Sequence, residues 1–287
     1  MLDKIIPLKL SHFLHLIRLS KPIGFMLLMW PCWFALAILP INFYILIKWY
    51  LLFFFGAFLM RSAGCIINDL VDIDIDRKIE RTSDRVLPSK KLSILESFFF
   101  LFILLFLSLV ILFQFDFLAV IGGLVSLPII ILYPFMKRFT HWPQIILGVV
   151  FSWGVILVSL QFNNYFNINF ILLYIACIFW TLAYDTIYAY QDRNEDILNN
   201  VKSTAVLFGK NGPTIVKFFY LMFFLIIGYI SWEISNNFLS FIVIILYIFV
   251  MNLEINKWDP ESLESSKYYF KLNNFVGLCS CLFLLIF

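Results

Sequence analysis

Apolar residues run along this chain in long blocks with no polar stripe, and nearly all of the charge is gathered into the short segments between them. A block of roughly 17 to 25 such residues is long enough to cross a bilayer as a helix, the form in which a segment satisfies its own backbone hydrogen bonds. The pattern predicts about nine spans. They cover residues 23–39, 44–67, 94–113, 117–133, 143–160, 168–190, 214–232, 238–251 (extending toward Asn256) and 270–287. The expected fold is therefore all-α: a polytopic membrane helical bundle forming one domain over residues 1–287.

Composition agrees and narrows the function classes. With 62% hydrophobic, 20% aromatic and 14% charged residues, the chain has too little polar surface to clothe a water-soluble globule. The net charge of +3 points to topology rather than to nucleic acid, which is not expected as a partner; nor is an obligate protein partner. The five cysteines lack CxxC spacing and read as small apolar residues, and His12, His15 and His141 are scattered, so none is assigned to metal. Residues 1–18 lack the layout of a cleavable signal peptide, and 12–19 read as an amphipathic segment on the membrane surface.

Placing the N-terminus in the cytoplasm puts Arg77, Lys78, Arg81, Arg85, Lys90, Lys91, Lys137, Arg138, Arg193, Lys202, Lys210, Lys257, Lys267 and Lys271 on the inner side, against Lys48 outside. That asymmetry sets the orientation expected for a bacterial inner (cytoplasmic) membrane protein. Two acidic stretches, 68–76 after the second span and 185–196 after the sixth, then share the cytoplasmic side. An even number of crossings separates them, which suggests a parallel internal repeat.

Carboxylates beside a bilayer are costly, and like charges one helical turn apart repel, so a duplicated cluster makes sense when divalent cations sit between them. If the second helix continues, Asn68, Asp72 and Asp76 recur every fourth residue on one face; Asp192 and Asp196 repeat that spacing, with Tyr188 one turn and Asp185 two turns earlier. Oxygen donors in a basic surround favour Mg²⁺, which bridges one or two carboxylates and the phosphates of a substrate. Asn68, Asp72, Asp76, Asp192 and Asp196 are the expected metal ligands, and a diphosphate is the natural guest. Arg81, Arg85, Lys137, Arg138 and Lys202 lie at the same edge and can take phosphate oxygens, although such residues also serve as topological anchors. Arg61 is buried in an apolar run two turns before Asn68, where it either orients an aspartate or receives a substrate carboxylate.

These residues fall into longer motifs. Asn68-Asp69-x-x-Asp72-x-x-x-Asp76 with Arg81-Thr82, and Tyr184-Asp185-Thr186-x-Tyr188-Ala189 leading to Asp192-x-x-x-Asp196 and Lys202-Ser203-Thr204, resemble the UbiA family of membrane prenyltransferases. Arg18-Leu19-x-Lys21-Pro22-Ile23-Gly24, Met60-Arg61-x-Ala63-Gly64-Cys65 and Tyr133-Pro134-x-x-Lys137-Arg138-x-Thr140-x-x-Pro143-Gln144 look most like its 4-hydroxybenzoate polyprenyltransferase subgroup. Val86 and Lys90 depart from the Pro and Gly expected at those positions.

The resemblance implies Mg²⁺-dependent transfer of a polyprenyl chain from polyprenyl diphosphate to the ring carbon ortho to the hydroxyl of 4-hydroxybenzoate, in ubiquinone biosynthesis. Asp72, Asp76, Asp192 and Asp196 then carry catalysis through the metal, Asp185 either polarises the phenol or binds metal, and Tyr133 and Tyr188 are candidates to shelter an allylic cation. The acceptor alternatives are a naphthoate, homogentisate or haem-type ring. A cation-coupled secondary transporter is the rival from another class, but its site is expected near the bilayer midplane rather than at span ends.

Overall fold

The computed structural model describes residues 7–78, 80–164 and 166–287, without the side chains of Leu8, Glu80 and Arg81. Among the described residues all regular structure is helical. A short helix α1 (Leu8–Leu16) precedes α2 (Ile23–Ala37) and the long α3 (Phe43–Val71). Two one-turn helices, α4 (Ile73–Asp76) and α5 (Glu80–Ser83), lead to the antiparallel pair α6 (Ile94–Leu112) and α7 (Phe117–Phe139). The next crossing is split into α8 (Pro143–Phe151) and α9 (Trp153–Gln161); then comes α10 (Ile168–Ala189), followed by the short α11 (Arg193–Leu198) and α12 (Thr204–Phe208). The chain ends in α13 (Gly212–Ser235), α14 (Leu239–Asn256) and α15 (Leu263–Ile286).

Eight helical segments are long and apolar enough to span a membrane, and α2, at 15 residues, is a shorter apolar helix, so the expected spans are all present as helices. Their ends differ from the hydrophobic pattern for local reasons. Helix α7 continues through Pro134 to Phe139, and Lys137 and Arg138 in its last turn complement the helix dipole. Helix α15 starts at Leu263 rather than 270, because Ser262 accepts a hydrogen bond from the Ser265 N–H and Glu264 lies in the first turn. Its Asn273 is satisfied inside the bundle, accepting from Trp180 Nε1 at 2.9 Å and from the Tyr220 hydroxyl at 2.8 Å.

Two apolar clusters organise the packing. The larger joins α2, α10, α13 and α15 around buried Phe34, Trp180, Tyr184, Phe223 and Phe224, with Trp180 stacked on Phe223 at 5.4 Å between centroids. The smaller lies at the other end of α3, where Leu16 and Ile17 pack with Ala63, Ile66, Val86, Leu87, Leu101 and Leu104. The start of the chain thus gives Leu16 and Ile17 to protein packing, while Leu10 and Leu19 stay exposed.

Candidate active site

Helix α3 does not run unbroken through the first acidic stretch. At Asp72 the backbone departs from the helical well (φ −100°, ψ 7°), which ends α3 and starts α4. The ladder nevertheless survives, since the Asp72 N–H donates to the Asn68 carbonyl at 3.0 Å and the Asp76 N–H to the Asp72 carbonyl at 2.8 Å. Asn68, Asp72 and Asp76 thus keep a common face across the bend.

Asp69, Asp72 and Asp76 are all buried, at 0%, 1% and 4% exposure, a placement that costs several kcal/mol per ion unless each carboxylate is paired. Arg18 Nη2 donates to both oxygens of Asp69, at 2.7 and 2.8 Å. Arg85 Nη1 donates to Asp76 at 2.7 Å and lies 3.5 Å from Asp69. Lys137, brought in by the extended end of α7, pairs with Asp72 Oδ2. Burial pushes the Asp72 carboxyl above its ordinary range, against the downward pull of the Lys137 ammonium, and its Oδ1 has no hydrogen-bond partner.

The second acidic stretch follows the same local course. Helix α10 tightens into a 3₁₀ turn over Tyr190–Asp192, and Asp192 leaves the helical well much as Asp72 does (φ −115°, ψ 4°) before α11 begins. Asp196 is buried and accepts from Ser203 Oγ at 3.2 Å, and Ser203 also caps α12. The intervening loop is fastened to α7: the Lys202 N–H donates to the Lys137 carbonyl at 3.0 Å and Lys202 Nζ to the Phe139 carbonyl at 3.1 Å. Tyr190 is held against Gly212, where a Cβ would come within 1.9 Å of the tyrosine hydroxyl oxygen, so a larger residue there would dislodge the turn.

One cavity of about 1280 Å³ joins the two stretches. Its charged end is lined by Arg18, Asn68, Asp72, Asp76, Arg85, Lys137, Asp192, Asp196 and Lys202. Arg61, Tyr133, Asp185 and Tyr188 line its middle, and Leu105, Phe106, Leu109, Leu112, Leu124 and Leu127 continue it between α6 and α7. Gln144 lines the same cavity as Asp185, and its Oε1 accepts from the Thr204 N–H at 3.2 Å. Arg61 donates to Cys65 Sγ at 3.0 Å and its guanidinium lies 5.8 Å from the Phe151 ring centroid. Among the described residues no carboxylate forms a salt bridge with Arg61, and its Nε is buried without a partner.

The structure thus gathers Asn68, Asp72, Asp76, Asp185, Asp192, Asp196, Arg61, Lys137, Lys202, Tyr133 and Tyr188 onto one cavity. Arg138 is absent from the cavity lining; it donates to the Val71 carbonyl at 3.2 Å and sits 5.6 Å from the Phe135 ring, a contact that joins α7 to the end of α3. The side chain of Arg81 lies outside the described residues. Sequence reasoning did not single out Arg18 or Gln144. The signal for Arg18 was the Arg18-Leu19-x-Lys21-Pro22 motif, whose left-handed Arg18 (φ 60°) turns the chain between α1 and α2 beside Asp69.

The donor set consists of hard oxygens, and Asp72 Oδ1 is a buried acceptor left open, which fits a divalent cation. Among the described residues no three acidic, His or Cys side chains close around one point. The residues therefore suit a cation shared with substrate phosphates better than an all-protein cage.

Fold and cavity together define a polytopic membrane protein that offers a charged end and an apolar continuation to one elongated guest. The chain belongs to the UbiA prenyltransferase family, whose profile matches residues 28–275. It is 36% identical over 281 residues to the 4-hydroxybenzoate octaprenyltransferase of Blochmanniella pennsylvanica, across 94% of this chain and 93% of that one. Among solved structures, the apo UbiA homologue from Aeropyrum pernix K1 superposes with a TM-score of 0.73 at 20% identity, covering 93% of this chain and 98% of that one. The UbiA homologue from Archaeoglobus fulgidus bound to DMAPP and Mg²⁺ gives 0.67 at 19% identity, covering 95% and 98%. At these identities the two structures establish the fold.

Proposed function

We propose that this protein transfers a polyprenyl chain from a polyprenyl diphosphate to the ring carbon ortho to the hydroxyl of 4-hydroxybenzoate, releasing diphosphate, as a step of ubiquinone biosynthesis. The observation that carries the reading is the single cavity in which two acid-bearing helix ends, a buried arginine and an apolar channel meet. The similarity to the Blochmanniella pennsylvanica octaprenyltransferase supports the choice of acceptor.

Asn68, Asp72, Asp76, Asp192 and Asp196 would hold a divalent cation, Mg²⁺ in this reading, whose charge offsets the charge that develops on the departing diphosphate. Lys137 and Lys202, with Arg81 at the same edge, take the remaining phosphate oxygens. As the allylic C–O bond breaks, its electron pair leaves with diphosphate, and the π faces of Tyr133 and Tyr188 shelter the allylic cation in a water-poor wall. Arg61 receives the acceptor carboxylate on the guanidinium edge left open by Cys65. Asp185 accepts the hydrogen bond of the phenol, which raises electron density at the ortho carbon. A ring carbon forms the new C–C bond and then loses its proton. The apolar lining between α6 and α7 takes the isoprenoid tail.

The chain acts as one domain in a bacterial inner membrane, a reading supported by its bacterial relative, and the distribution of Lys and Arg supports a cytoplasmic N-terminus and charged cavity mouth. The reaction is tested by incubating membranes that contain the chain with polyprenyl diphosphate, labelled 4-hydroxybenzoate and Mg²⁺, with and without EDTA. A labelled lipid-soluble product that EDTA abolishes and added Mg²⁺ restores is the expected result. Absence of product, or product indifferent to EDTA, overturns the reading.

A further inference from the structure

Gly64 lies in the interior of α3, three residues after Arg61 and four before Asn68, on the face that lines the cavity. A glycine inside a helix is disfavoured relative to alanine, because the more flexible backbone loses more entropy on folding. It is normally explained by a left-handed turn or by a neighbour too close for a Cβ. Neither explanation applies. Among the described residues Gly209 is the glycine with positive φ, and a Cβ built on Gly64 meets no atom within 4 Å beyond its chain neighbours and its own helix backbone.

Apart from Gly56, whose nearest neighbour is 3.9 Å from an added Cβ, the other helical glycines of the bundle meet a close neighbour. A Cβ on Gly154 would come 2.1 Å from Cys32 Sγ, and one on Gly277 would come 2.5 Å from Trp30. A Cβ on Gly24 would come 2.9 Å from Arg61 Nε, so that glycine makes room for the guanidinium. At Gly64 the room faces the cavity itself. Beside it stand the unpartnered Nε of Arg61 on one side and Asn68 at the charged end on the other, and Arg61 feels Tyr133, Tyr188 and Asp185 as its electrostatic neighbours.

We infer that Gly64 is a specificity-determining residue: the aromatic ring of the acceptor acid lies flat against the bare backbone at Gly64, with its carboxylate toward Arg61 and its hydroxyl toward Asp185. This rests on the proposed transfer to 4-hydroxybenzoate and names the surface that admits the ring. Misfit of a single methyl group in a fitted pocket is worth about 10- to 200-fold in recognition.

The test compares Gly64→Ala and Gly64→Val with the parent in detergent, reading the melting temperature and separate KM values for 4-hydroxybenzoate and for the polyprenyl diphosphate. Gly64→Ala is expected to melt no lower than the parent, with an acceptor KM raised about tenfold or more, an unchanged donor KM, and a larger acceptor defect for Gly64→Val. That split is one a purely structural glycine does not produce. An unchanged acceptor KM in both variants overturns the inference. So does a rise confined to the donor KM, which assigns the surface to the isoprenoid tail, and so does a lowered melting temperature with both KM values moving together. A parent that prenylates no 4-hydroxybenzoate overturns the proposed reaction and this inference with it, so the parent arm separates the two failures.

Discussion

The two halves of the bundle solve different problems with the same kind of helix. In the most apolar stretch of α6 only 17% of residues are buried against protein, and in α7 22%, whereas the stretch in the segment containing α10 reaches 61%. The α10 and α13 side is a packed aromatic core that carries Asp185 and Tyr188 on α10. The α6 and α7 side is thinly packed, and there the cavity extends between the two helices. A polar group is held in place by dense packing, and a long apolar tail is accommodated where few side chains must move.

The sharpest way to break this contrast is at the acidic residues, where the halves must act as one. Asp72→Ala and Asp192→Ala are each expected to insert normally and to lower turnover by about 10²- to 10³-fold, as removal of one preorganised electrostatic group does. Product formation by membranes containing equal amounts of protein measures this, and full activity in either variant removes that residue from the site. Next in size is Arg18→Ala, which deprives buried Asp69 of its two-pronged partner and leaves Arg85 at 3.5 Å. A loss of about 2–3 kcal/mol is expected, read as a lower unfolding midpoint in detergent and partly recovered by adding Asp69→Asn.

In the packed half, Asn273→Leu strands the Trp180 N–H and the Tyr220 hydroxyl. A destabilisation of about 2 kcal/mol is expected there, since buried donors lose their acceptor although hydrogen bonds within membranes are individually modest. The smallest effect belongs to the open half. At Gly56 the nearest atom to an added Cβ is Ile111 Cγ2 at 3.9 Å, so Gly56→Leu is expected to leave the melting temperature unchanged while narrowing the channel. The KM for an octaprenyl donor should rise about tenfold relative to a geranyl donor. A melting loss at Gly56 as large as that at Asn273 erases the distinction between the halves.

Much of this was legible in the residue pattern, because bilayer thickness and helix periodicity act locally. The apolar blocks announced the helices, and the four-residue spacing of Asn68, Asp72 and Asp76 announced a shared face that outlasts the bend at Asp72. What the pattern could not carry depends on distant partners. The bonds from Arg18 to Asp69 and from Lys137 to Asp72 span 51 and 65 residues, and the assignment of Arg138 to the Val71 carbonyl rather than to the cavity follows from how α7 is rotated. Span ends slipped where polar residues extend a helix, as at Ser262, or where a proline does not end one, as at Pro134.

The bond between Arg18 and Asp69 also orders the biogenesis of the protein. The arginine precedes its aspartate by 51 residues, so the turn between α1 and α2 acquires this counter-charge only once α3 has been made and placed.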